Sequence, residues 1–359
     1  MLTEVSIQNF RAFDNFEMSN LSRINLIAGR NNAGKSSLLE AMFLASFGNR
    51  PDGAVNTHVT RYREVEKLSE VTNVLSGLPA YWRLFFRGLC DDQEIRISLT
   101  DDELGLYRLT ATLTNPPTSL DPDDPARDTR QSTTALAGRM LLLHFEVPDG
   151  TVGRVWLGPS EQGVRAIGPD EDQRLQFPHA VGILPPTAGM GPEQAVTLGR
   201  MRIARESNHL LSTLKVIEPE LRSVEDSSAT GIPAIWGDVG LSELIPLSLM
   251  GEGMTHAARI IIDMWEVRGG VILIDEVESG LHHSVLEDFW RAIERAAVDL
   301  DVQVLATTHS LECIQAAASG VGSEHLRLHR LDQVDGKVTS VSYEPDVLEA
   351  SFKMGLEVR

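Results

Sequence analysis

Residues 29–36 read Gly29-Arg30-Asn31-Asn32-Ala33-Gly34-Lys35-Ser36, which fits the phosphate-loop pattern G-x-x-x-x-G-K-[ST]. Ahead of them Ile24-Asn25-Leu26-Ile27-Ala28 is a short apolar run that reads as a buried strand. Behind them Ser37-Leu38-Leu39-Glu40-Ala41-Met42-Phe43-Leu44 reads as a helix. Strand, glycine loop and helix in that order bring backbone N–H groups to a helix N-terminus, where they can wrap a phosphate.

A second cluster of chemistry begins near residue 250. Ser248-Leu249-Met250-Gly251-Glu252-Gly253-Met254 precedes a helix with apolar Ala257, Ile260, Ile261 and Met264, closed by Gly269-Gly270. Then Val271-Ile272-Leu273-Ile274-Asp275-Glu276 sets four apolar residues before two acids, the Walker B pattern. There a buried strand delivers one carboxylate to Mg²⁺ and a second beside it. As two surface acids ending a core strand, the pair would be unremarked without the phosphate loop. Ser279-Gly280-Leu281-His282 follows, with a helix bearing Val285, Leu286, Phe289, Trp290 and Ile293. A further buried strand, Val302-Gln303-Val304-Leu305-Ala306, ends in Thr307-Thr308-His309-Ser310, and a histidine in that place can hydrogen-bond a γ-phosphate. More than two hundred residues separate Lys35 from Asp275, too many for a compact Ras-like domain.

Between the clusters the chain is β-rich. The first ten residues and Phe16 to Ile27 read as a β-meander entering the loop, and the turn Asn9-Phe10-Arg11-Ala12-Phe13-Asp14 puts Arg11 one strand before it. Asn49 to Thr60 is polar and reads as a mobile loop, and Arg61 to Leu89 carries helical periodicity. Glu94–Leu99 and Leu106–Leu113 alternate as antiparallel strands do. A flexible loop is expected at about 115–134, rich in Pro, Asp, Ser and Thr. Met140–Val147 and Val152–Leu157 flank a Pro148-Asp149-Gly150 turn signal. Val181 to Pro186 closes the β-rich half, and Gln194 to Ile217 turns helical, without a heptad array after it. Three parts are expected: 1–190 with the phosphate loop and a β-rich insertion, 191–268 as a helical lobe, and 269–359 completing the core with a C-terminal hairpin at Asp335-Gly336.

Composition limits the classes. A 42% hydrophobic fraction supports a real core, while no run approaches the ~18 apolar residues of a membrane span. Two cysteines far apart, Cys90 and Cys313, imply a reduced, cytoplasmic protein. A formal charge of −19 opposes bulk attraction to nucleic acid but leaves room for a local basic groove. Arg61, Arg63, Lys67, Arg83 and Arg87 are the candidate for one; a solvated helix face is the simpler account of them. The adjacent His282 and His283 lack partners at metal-ligand spacing.

The motif order resembles the ATP-binding-cassette arrangement of phosphate loop, signature loop, Walker B, D-loop and switch histidine. Within it the chain looks most like soluble SMC-like and OLD-like (overcoming-lysogenization-defect) ATPases, on Asn9–Phe13, Gly29–Ser37, Gly251–Gly253, Ile274–Gly280 and Thr307–Glu312. The resemblance implies an α/β ABC-type ATPase head, a mixed β-sheet carrying the phosphate loop and a helical signature subdomain. It implies ATP and Mg²⁺ as cofactors. Gly29, Asn31, Asn32, Ala33, Gly34, Lys35, Ser36, Ser37 and Arg11 would then bind nucleotide, with Ser36 and Asp275 holding the metal. Glu276 would polarise the attacking water, His309 would sense the γ-phosphate, and Gly251 and Gly253 would contact the nucleotide of a second copy in a head-to-tail, ATP-dependent homodimer.

The signature departs from Leu-Ser-Gly-Gly-Gln, since Gly251 stands where serine is usual, and no Q-loop glutamine is identified. Only about fifty residues follow His309, too few for the Toprim nuclease fused to some relatives. The implied function is an ATPase regulating or driving a separately encoded effector, such as a nuclease, in DNA maintenance or anti-phage defence. A RecF-like DNA-binding recombination mediator is the alternative. A transporter cassette, from another class, is disfavoured by the Phe-Arg-Ala-Phe segment, the loose signature and the β-rich insert.

Overall fold

A computed structural model describes residues 1–46, 82–115, 139–160, 163–167, 177–186, 189–229, 231–344 and 347–348. The expected loops at 49–60 and about 115–134 and the basic residues Arg61, Arg63 and Lys67 lie outside the described residues, apart from Asn115.

Numbered along the chain, the strands of the described residues divide into two large sheets and one small one. β1 (Leu2–Phe10), β2 (Phe13–Ser19), β4 (Ile95–Asp101), β5 (Gly105–Thr114), β6 (Met140–Glu146), β7 (Val152–Ser160) and β8 (Gly163–Ile167) form an antiparallel sheet in the order β2-β1-β4-β5-β6-β7-β8. The core sheet has the order β16-β15-β3-β14-β13-β9, from β3 (Ile24–Gly29), β9 (Val181–Leu184), β13 (Val271–Ile274), β14 (Gln303–Thr308), β15 (Leu326–Val334) and β16 (Lys337–Tyr343). All its pairings are parallel except the β15–β16 hairpin, which turns at Asp335-Gly336 with φ of 52° and 74°.

Helix α1 (Lys35–Ser46) lies between the two sheets, which is why every residue from Leu38 to Ser46 is buried and the helix has no polar face. On the other side of the core sheet lie α2 (Pro192–Ala204), α3 (Asn208–Ile217), α4 (Glu252–Glu266), α5 (Leu286–Asp299) and α6 (Leu311–Gly320). The core strands therefore bury both faces. Ile27, Leu273 and Leu305 join the α1 side, while Leu26, Ala28, Ile272, Ile274, Val304 and Ala306 join the helical side. Two-sided burial is the reason these strands read as unbroken apolar runs.

The meander expected from Phe16 to Ile27 is instead two strands in different sheets. β2 alternates buried and exposed residues and pairs with β1, whereas β3 is buried throughout and takes the centre of the core sheet. β9, read as the end of the β-rich half, pairs in parallel with β13. The helical stretch from Gln194 to Ile217 is broken into α2 and α3 at Arg205, which has a φ of 62° and closes α2 by donating its backbone N–H to the Met201 and Arg202 carbonyl oxygens. The Glu206 carboxylate accepts from Trp265 Nε1 at 2.6 Å and pins that turn to α4. The segment expected to be a helical lobe also holds a small sheet, β10 (Ser223–Ser227), β11 (Ala234–Asp238) and β12 (Ile245–Pro246), whose polar first strand has no apolar signal. In place of helix at the end of the Arg61–Leu89 stretch, Arg83–Phe85 and Arg87–Leu89 form 3-10 turns parted by extended Phe86, with Gly88 left-handed.

Register sets the site. Ala28 of β3 lies opposite Thr308 of β14, and Ala306 of β14 opposite Ile274 of β13. The residues that follow these strands leave the sheet at one edge, the carboxyl end where parallel sheets present ligand-binding loops.

Candidate active site

The loop after β3 closes over itself. Lys35 Nζ donates to the carbonyl oxygens of Gly29 at 2.7 Å and Arg30 at 3.1 Å. Burial lowers the pKa of this ammonium, while Asp275, Glu276 and Glu278 draw it the other way. Gly34 has a φ of +97°, and a Cβ there would meet the Phe13 ring at 3.2 Å, so the turn demands glycine on two counts. The β1–β2 turn thus forms one wall of the loop.

Asp275, buried after β13, is held from two sides. Ser36 Oγ donates to its Oδ2 at 2.8 Å, and Thr307 Oγ1 donates to its Oδ1 at 2.6 Å. The same Thr307 hydroxyl accepts from the Glu276 backbone N–H at 2.9 Å, while the Thr307 carbonyl accepts from Val277 N at 3.1 Å. Glu276 itself is left-handed, with φ of 53°. A non-glycine residue there stores strain, and Thr307 on the neighbouring strand holds it.

Gly251 and Glu252 are exposed at the start of α4, whose first turn has no side-chain cap. Ser248 is exposed in the short 3-10 turn Leu247–Leu249 before it. Gly253 lies against Gly280: a Cβ at 253 would stand 2.4 Å from the Gly280 carbonyl oxygen. The two glycine turns are in backbone contact. The start of α4 and the loop that follows Glu276 therefore form one packed unit.

These positions belong to a recognisable lineage. Residues 4–102 match a family model described as "AAA domain", and residues 171–314 match one described as "AAA domain, putative AbiEii toxin, Type IV TA system". The chain is 25% identical to the ATP/GTP phosphatase of Helicobacter pylori over 98% of both chains. A 51-residue stretch, 14% of this chain and 6% of the relative, is 49% identical to the DNA double-strand break repair Rad50 ATPase of Archaeoglobus fulgidus. In fold it matches the Smc head domain with an extended coiled coil, bound to the C-terminal domain of ScpA, derived from Pyrococcus furiosus. That match has a TM-score of 0.51, 98% of each chain covered and 10% identity. The chain is a P-loop ATPase with the fold of an SMC head.

In this ATPase the strand end at His309 is built around an acid not singled out from sequence. Glu278 Oε1 accepts from Thr308 Oγ1 at 2.7 Å and from the His309 backbone N–H at 3.2 Å, and stands 3.5 Å from His309 Nδ1. The imidazole is about half exposed, at 53%, and the carboxylate largely buried. On α4, burial lowers the pKa of His256, with the Val277 backbone, Glu252 and Glu278 opposing.

Arg11, expected near the phosphates, ion-pairs with Glu40, more than a turn of α1 beyond the loop, and its guanidinium packs over the Phe10 and Phe85 rings at 5.5 and 5.6 Å. Gln194, after β9, accepts from the Gly191 amide at 2.8 Å and opens α2. Thr307, Glu278 and Glu40 carry no pattern a single sequence displays. A hydroxyl after an apolar strand and an acid two residues past Walker B are common; only neighbouring strands give them partners.

Proposed function

We propose that this ATPase is OLD-like, works as an ATP-dependent head-to-tail homodimer, and regulates or drives a separately encoded effector in DNA maintenance or anti-phage defence. The observation that carries the reading is the exposed, uncapped N-terminus of α4 at Gly251 in a chain that also holds a complete phosphate loop. Free amides at a helix start accept an anion. With Gly29–Ser37 and the first turn of α1 serving the chain's own nucleotide, the γ-phosphate of a second copy is their natural acceptor. The defence role draws support from the similarity of residues 171–314 to a family described as "AAA domain, putative AbiEii toxin, Type IV TA system".

In this reading Lys35 leaves the Gly29 and Arg30 carbonyls to clamp the β- and γ-phosphates. Ser36 and Asp275 would hold Mg²⁺. Their oxygens lie 2.8 Å apart, and one hydroxyl and one carboxylate completed by phosphate oxygens and water suit this hard cation. Bound there, the ion would neutralise charge gathering on the phosphate oxygens. Glu276, whose carboxylate makes no hydrogen bond to a described residue, would accept the proton of the attacking water. His309 would donate to the γ-phosphate. Catalysis is then positioning plus electrostatics.

Light scattering tests the assembly: Glu276→Gln is expected to double in mass with ATP and Mg²⁺ and not with ADP. A variant that stays monomeric with ATP while binding it would overturn the dimer. Co-purification of the product of a neighbouring nuclease reading frame tests the effector. The RecF-like alternative predicts ATPase stimulation by duplex DNA at low salt. Arg83 and Arg87, the described members of its basic group, donate to backbone carbonyls of Leu89, Ala12 and Gly336 within the chain.

A further inference from the structure

We propose that Glu278 is the positioning residue that sets His309 and transmits its position to the signature loop of the same chain. The proposal rests on the reading that His309 contacts the γ-phosphate.

Three donors from the end of β14 converge on one carboxylate. Its Oε1 takes the Thr308 hydroxyl and the His309 amide, and the His309 ring stands beside the same oxygen. Its Oε2 is buried with no hydrogen-bond partner among the described residues. A carboxylate oxygen withdrawn from water without a partner is costly, so packing alone gives no reason for an acid here. Glutamine would keep the acceptor oxygen in the same space without burying a charge.

The position of Glu278 in the chain supplies the reason. It sits two residues before Gly280, and Gly280 is in backbone contact with Gly253, at 2.8 Å between an added Cβ and the Gly253 nitrogen. Behind that contact His256, buried on the first turns of α4, lies near enough to the Val277 backbone for it to favour the charged ring. Val277 and Gly280 flank Glu278 on both sides. A shift of the His309 strand end therefore moves Glu278, and with it the segment on which α4 rests. The inside of a protein is packed too densely to absorb such a shift locally. Occupation of one phosphate loop would in this way set the presentation of Gly251 to the other copy.

The prediction concerns γ-phosphate recognition, so ATP-over-ADP discrimination is the measure. Dissociation constants for both nucleotides, at fixed Mg²⁺, are compared in wild type, Glu278→Ala, His309→Ala and the double variant. Glu278→Ala is expected to weaken ATP at least fivefold and leave ADP within twofold, and to add less than twofold in the His309→Ala background. A merely structural acid would weaken both nucleotides alike. Glu278→Gln, which keeps the acceptor oxygen, should retain most of the discrimination, and Thr308→Val should lose part of it; these two carry the test if Glu278→Ala does not fold.

Discrimination unchanged in Glu278→Ala, or equal losses in the single and double backgrounds while His309→Ala is itself impaired, would overturn the proposal. Wild-type discrimination in His309→Ala would instead overturn the reading of His309, and the proposal with it.

Discussion

Ser36 Oγ donates to Asp275 Oδ2 at 2.8 Å across 239 residues of sequence. The bond joins the first turn of α1 to the end of β13 and marks the point where the two halves of the site meet. Because β14 separates β3 from β13 in the core sheet, this contact exists only when all three strands are in register.

Asp275→Asn would keep the shape of this contact and remove its charge. Turnover by the variant is expected to require at least tenfold more Mg²⁺ for half-maximal rate, with nucleotide affinity in the absence of Mg²⁺ little changed. A magnesium titration of the ATPase rate checks it. Lys35→Ala should instead lose ATP binding itself, measured by isothermal titration.

Thr307 is wholly buried and serves both Walker acids with one hydroxyl. Thr307→Val leaves the Glu276 amide and Asp275 Oδ1 each short of a partner, at a cost of about 1–3 kcal/mol in stability. Turnover should fall on the order of 10–100-fold, as when supports of a metal ligand are removed. Thr307→Ser, which restores the hydroxyl, should recover most of the rate; urea midpoints and steady-state assays of the pair decide it.

Gly253→Ala drives a methyl group into the Gly280 carbonyl and against Leu281, and the near atoms are backbone, which cannot swing aside. A loss of about 1–3 kcal/mol is expected from such overpacking. ATP should still bind, because the phosphate loop is untouched, but the ATP-dependent mass doubling of the Glu276→Gln background should disappear. Light scattering of the combined variant reads this directly.

Burial pushes the His329 imidazole down to about 3, with Arg327 adding to it. In the unfolded chain it titrates near ~6.5. Between those values only the unfolded chain takes up the proton, so stability is whole above about 6.5 and declines as pH falls toward 3. The ring bonds to Ser342 Oγ and Asn25 Oδ1, tying β15 to β16 and β3. His329→Gln keeps a hydrogen-bonding side chain without the titration and should flatten the stability curve from pH 6.5 to 4.5. Denaturant melts across that window test it. Asp101 stays outside it: burial raises its carboxyl, but the Leu104 and Glu103 amides, His179 and the N-terminal amine outweigh this and bring it to about 2.

The strand–loop–helix at Ile24 to Leu44 and the acid-tipped strand at Val271 to Glu276 were legible in sequence for one reason. Parallel core strands are apolar on both faces, and glycine at Gly34 answers a backbone demand that no neighbour can relax. Such signals are local, and they sufficed for an ABC-type ATPase head. Where the pattern was mixed, in the polar strand β10, which Arg202 of α2 ion-pairs, or the break at Arg205, which Trp265 of α4 holds through Glu206, the outcome depended on those partners and was not legible.

What tertiary structure alone decided is which side chains share a charge or a hydroxyl. Arg11 lies one strand before the phosphate loop in sequence, yet Glu40 holds its guanidinium on the flank of α1. Thr307 and Glu278 become supports of Asp275, Glu276 and His309 only because β13 and β14 are hydrogen-bonded neighbours. Pattern in a chain records which faces are dry, since burial repeats along it. Partnership between polar groups is set by register between strands distant in sequence, and no single stretch of residues encodes it.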